Sequence, residues 1–170
     1  MNHRNILTKW LIYTLGLFPV WVLDAIILPR YPIGGVSPML LPAAVAAVAV
    51  LEGAFAGTGF GLAVGLFWEL AYPGGMGALV IGMALAGMLA GAVSQYALQQ
   101  SLPGCLLCSA GALIFLDAFR IARALFVGQA SLSVLLKVAV PEVLLSLVWT
   151  LPVWFLFQAI HRRVGGTRLA

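Results

Sequence analysis

The stretch LAYPGGMGALVIGMALAGMLAGAVSQYALQQSLPGCLLCSAGALIFL, residues 70–116, runs 47 residues without an Asp, Glu, Lys or Arg. About 20 apolar residues cross a bilayer core as a helix, so this stretch has length for two crossings and the turn between them. The rest of the chain agrees. Of its 170 residues, 63% are hydrophobic and only 8% charged, with a mean hydropathy of +1.09, against about 25% charged in an ordinary soluble domain. The expectation is an all-α, polytopic membrane helix bundle forming a single integral membrane domain over residues 1–170.

Outward from that stretch, hydropathy and the Pro and Gly positions mark about six transmembrane helices, at residues 7–28, 36–51, 53–70, 76–98, 103–126 and 138–160. Pro29, Pro32, Gly34 and Gly35 break the chain after the first span, because both residue types favour turns over helix interiors. Pro73-Gly74-Gly75 and Ser101-Leu102-Pro103-Gly104 act alike, and residues 128–133 form the longest polar-leaning linker. Between spans two and three only Leu51-Glu52-Gly53 is available, which means a tight hairpin or one broken helix. The apolar run Trp10 to Leu28 exceeds a secretory h-region and lacks a small-x-small cleavage site, so it reads as the first span.

The net charge is +4, with Arg4 and Lys9 before the first span and Arg162, Arg163 and Arg168 after the last. Cytoplasmic loops carry an excess of Lys and Arg. Both termini are therefore expected in the cytoplasm, near anionic lipid. Arg120, Arg123 and Lys137 then flank an external connection, against that bias. The basic clusters are too sparse for a nucleic-acid footprint. Cys105 and Cys108 form a CxxC without a second pair or a nearby His, and read as small helix residues. No HExxH, Walker loop, catalytic triad or dinucleotide fingerprint occurs. No enzyme activity, metal or cofactor is expected.

Span three carries the most regular pattern. Gly53, Gly57, Gly61 and Gly65 recur every four residues, and Glu69 continues the line, so all five fall on one helix face. Glycine lets a neighbouring backbone approach closely. This face is a packing surface for span four or a docking face for a partner helix. Ala78, Gly82, Ala86, Ala90 and Ser94 form a second small strip on span four. Ionisable groups inside a membrane are costly and usually paired, which singles out Asp24, Asp117, Arg120, Arg123 and Glu142. Asp117 and Arg120 are neighbours at i,i+3. Arg123 is placed to meet Asp24, Glu142 or another chain, and an Asp24 contact with either arginine is geometrically open. Pro141 suits the first turn of span six, with Glu142 at the positive end of its dipole, and Pro152 should kink it.

Taken together, these features resemble the bacterial rod shape-determining protein MreD family. Gly61-Leu62-Ala63-Val64-Gly65-Leu66-Phe67-Trp68-Glu69 is similar to the family's G-x-x-x-G-L-x-x-D, followed by a glycine turn at residues 74–77. Val140-Pro141-Glu142-Val143-Leu144-Leu145-Ser146 is similar to its P-E-x-x-x-N, with Pro152 where a later proline is common. Glu69 replaces the usual Asp, and Ser146 the usual Asn. The resemblance implies a noncatalytic subunit of the cell-elongation (rod) complex in the bacterial inner membrane. Such a subunit binds MreC and, through it, MreB, RodA and a class B penicillin-binding protein, supporting cell shape and lateral peptidoglycan synthesis. It also implies a compact fold similar to the substrate-binding S components of energy-coupling-factor transporters. The alternative function is therefore such an S component, binding a vitamin among Gln95, Gln99, Gln100 and Asp117.

Overall fold

The computed structural model describes residues 3–32, 35–71, 77–96, 101–126 and 132–164. Six α-helices follow in order: α1 (His3–Val22), α2 (Leu41–Glu52), α3 (Ala54–Ala71), α4 (Ala78–Tyr96), α5 (Leu102–Phe126) and α6 (Leu132–Val164). A π-helical turn over Leu23–Ile27 and a 3-10 turn over Leu28–Arg30 extend α1. Among the described residues no strand occurs. Four helical stretches are long and apolar enough to cross a membrane: Thr8–Arg30, Leu79–Tyr96, Leu102–Phe126 and Leu135–Val164. The protein is a helical membrane bundle.

The second and third predicted spans are shorter than the other four helices. α2 has 12 residues, about 18 Å at 1.5 Å per residue, whereas the hydrocarbon core is about 30 Å thick. It replaces the span expected at 36–51, because residues 37–40 lead into it without regular secondary structure. Every residue of α2 is buried, and α3, α4, α5 and α6 all pack against it. A helix apolar on all sides needs neighbours on all sides, and Leu41-Pro-Ala-Ala-Val-Ala-Ala-Val-Ala-Val-Leu supplies small side chains that let them come close.

Gly53 alone separates α2 from α3. Its φ of +94° is open to glycine and strained for residues with a Cβ, so the tight-hairpin alternative is the one observed. The helices alternate in direction, and Lys9 of α1 and His161 of α6 both reach Glu52. The described N-terminal and C-terminal ends therefore lie at the same end of the bundle. α6 begins at Leu132 rather than near residue 138, which places Pro141 and Pro152 both inside it. Pro141 is thus not in the first turn, and the dipole does not explain Glu142.

Candidate functional site

Polar side chains gather at the two ends of the buried helix α2, and an apolar cleft lies on one flank of the bundle. At the C-terminal end of α2, Glu52 receives three partners from two other helices. The Tyr13 hydroxyl donates to Glu52 Oε1 at 2.8 Å, His161 Nδ1 lies 2.9 Å from the same oxygen, and Lys9 Nζ pairs with Oε2. His161 Nδ1 also lies 3.1 Å from the Tyr13 hydroxyl. A carboxylate at a helix C-terminus opposes the dipole, and a buried one needs a cation. Lys9 meets both demands. Tyr13 stacks on Phe157, ring centroids 6.1 Å apart, so α1, α2 and α6 are joined by one polar and aromatic knot.

At the N-terminal end of α2 the chain turns inward over Ser37 to Leu40. The π-helical turn presents Asp24, whose Oδ1 accepts the Leu40 N–H at 2.6 Å. The negative charge there faces the positive end of α2. Ser146 Oγ accepts the Met39 N–H at 2.8 Å and donates to the Glu142 carbonyl at 2.6 Å. Arg120 Nη1 donates to Glu142 Oε1 at 3.1 Å and to Asp117 Oδ1 at 3.3 Å. The structure therefore brings Asp24, Asp117, Arg120 and Glu142 to one end of α2. The i,i+3 pair is present. Asp24 accepts a backbone N–H, and Arg120 reaches Glu142.

The glycine line is packed inside the chain. A Cβ on Gly57 would lie 2.6 Å from the Gly87 carbonyl oxygen, and one on Gly65 would lie 2.7 Å from Val80 Cα. Gly61 faces the Met83 carbonyl in the same way. Backbone meets backbone along α3 and α4, so the docking alternative for this face is replaced by the packing one. Gly53 is the turn and not a member of the strip. Glu69 accepts the Gly77 N–H just ahead of α4, which closes the α3–α4 connection. Gly77, at φ +74°, is the described end of the expected glycine turn, whereas residues 72–76 lie outside the described residues. On α4 the predicted small strip does not face α3: Gly82 abuts Leu116 of α5, and Ser94 donates to the Val50 carbonyl of α2.

The cleft lies between α1 and α3. It measures about 720 Å³ and is walled by Trp10, Leu17 and Trp21 on α1 and by Gly59, Ala63 and Phe67 on α3. Trp10 to Trp21 is about 16 Å along the helix. Gly59 differs from Gly57, Gly61 and Gly65 in that a Cβ added to it would meet nothing within 4 Å beyond its own helix backbone. Glycine inside a helix costs about 1 kcal/mol relative to alanine, and among the described residues nothing fills the space it leaves. Cys105 and Cys108 are buried and unlinked, with Cys108 Sγ 3.5 Å from the Ala90 carbonyl.

Sequence reasoning missed Tyr13, Glu52 and His161 as a unit. Glu52 and His161 are separated by 109 positions, and no local spacing joins them. A buried acid beside the Gly53 turn was the available signal. Gln95 is exposed, and Gln99 and Gln100 lie outside the described residues. Comparison with protein-family models, curated proteins and solved structures finds no match.

Proposed function

We propose that this chain is a noncatalytic membrane subunit of the MreD type, in the bacterial inner membrane with both termini cytoplasmic, and that it receives the transmembrane helix of MreC. MreB, RodA and a class B penicillin-binding protein are its indirect partners in lateral peptidoglycan synthesis. The observation that carries this reading is the α1–α3 cleft with its unfilled Gly59 notch. A helix about 10 Å across and about 16 Å long occupies roughly 1,300 Å³. The cleft, about 16 Å long, has room along its length for about three turns of one helix, whose outer face would remain toward lipid. Small residues at a membrane helix interface permit the close backbone approach that drives association there.

Co-purification with MreC tests this reading. Gly59→Leu should lower MreC recovery at least tenfold while leaving the unfolding midpoint within about 2 °C of the parent, and full recovery would end the proposal. The S-component alternative is less well supported, because Gln95, one of the polar groups it relies on, is exposed near the end of α4.

A further inference from the structure

The two ends of α2 differ in charge balance. At Glu52 one carboxylate meets one lysine and one histidine. At the other end Asp24, Asp117 and Glu142 are 6%, 7% and 7% exposed, and Arg120 is the one cation paired with any of them among the described ion pairs. The formal count in those pairs is two negative charges against one positive, and Asp24 stands at the same end of α2 with a backbone partner. Asp24 has the Leu40 N–H and the α2 dipole, and Glu142 has Arg120 at 3.1 Å. Asp117 is served least: its Oδ1 shares the same Arg120 nitrogen at 3.3 Å, and its Oδ2 is buried without a hydrogen-bond partner.

We infer that Asp117 and Glu142 form the receiving site for a second cationic group, the guanidinium or ammonium of a basic side chain on a partner membrane segment. This rests on the partner-binding reading above. A buried carboxylate oxygen calls for a donor, and a guanidinium has a fork of N–H groups that bridges two carboxylates. A basic residue within a membrane helix in turn needs an acid to meet. Among the described residues no group of three or more His, Cys, Asp or Glu is placed to hold a metal ion, which favours an N–H cation. Entry has a route. The Arg120 side chain is 46% exposed, and beside it lies a cavity of about 150 Å³ lined by Met39, Trp68 and Met83.

The test uses the detergent-solubilised full chain, titrated with n-butylguanidinium and, in parallel, with neutral n-butylurea. The expected result is a saturable rise in unfolding midpoint with the guanidinium alone, at least tenfold weaker in Asp117→Asn. Should that variant not fold, carbodiimide labelling of Asp117 in the parent protein gives the same answer, slowed at least fivefold by n-butylguanidinium and not by n-butylurea. A Leu/Ala transmembrane host peptide with one central Arg should be captured at least tenfold more tightly than its Gln counterpart. No saturation, an equal effect of the urea, an affinity unchanged in Asp117→Asn or labelling that the guanidinium does not slow would overturn the site. Equal capture of the two peptides would overturn a partner side chain as its occupant. Gly59→Leu reads the α1–α3 cleft and not this cluster, so failure of one proposal is distinguishable from failure of the other.

Discussion

Glu52 shows how much one buried carboxylate can organise. Its two oxygens draw in Lys9, Tyr13 and His161 from helices at opposite ends of the chain. Removing one member of a buried pair leaves the other uncompensated and costs about 3–5 kcal/mol. Glu52→Gln should therefore lower stability by about that amount in a reversible unfolding assay in detergent. Glu52→Gln combined with Lys9→Met should recover part of the loss, since no buried ammonium then lacks an anion. Ser146 offers a smaller test. Ser146→Ala removes the acceptor of the Met39 N–H and should cost about 1–3 kcal/mol, because a buried donor is left without a partner. The motif Pro-Glu-x-x-x-Ser was legible as a pattern. Its physical role was not, because the partner of Ser146 lies 107 positions away.

The pairing of α3 with α4 is the element whose cause was easiest to read. Four-residue glycine spacing announces a flat helix face, and the sequence order of the two helices makes each the natural neighbour of the other. Which residues of α4 meet that face was less accessible. Val80, Met83, Ala84 and Gly87 do so rather than the Ala78 to Ser94 strip, because α4 is small on more than one side and must also pack on α2 and α5. Gly61→Leu should drive a side chain into the Met83 carbonyl and destabilise the bundle by about 3 kcal/mol. Gly59→Leu, two residues away, points into the open cleft and should leave the midpoint nearly unchanged. The contrast between the two, measured by thermal unfolding, separates internal packing from partner binding on the same helix.

For the whole molecule, hydropathy alone was enough to establish a helical membrane bundle. The length of α2 was not recoverable. Its apolar run continues backward through Pro38, Met39 and Leu40, and the tertiary ties of Asp24 and Ser146 to that backbone mark where the helix begins. Because Lys9 and His161 meet on one carboxylate, cysteines placed singly at Thr8 and Arg162 should be labelled by a membrane-impermeant thiol reagent from the same side of sealed, right-side-out or inverted vesicles, in a background with Cys105 and Cys108 changed to Ala. Labelling from opposite sides would contradict the helix order.

The enclosed position of α2 also bears on how the molecule is made. In chain order this short helix precedes two of its walls, α5 and α6, so it is synthesised before them. Until α6 emerges, α2 faces lipid or the insertion machinery with a hydrophobic length too small to hold itself across the bilayer. Joined to α3 through a single glycine, it must be carried in by its neighbour as one hairpin, and the bundle closes around it only when translation has passed His161.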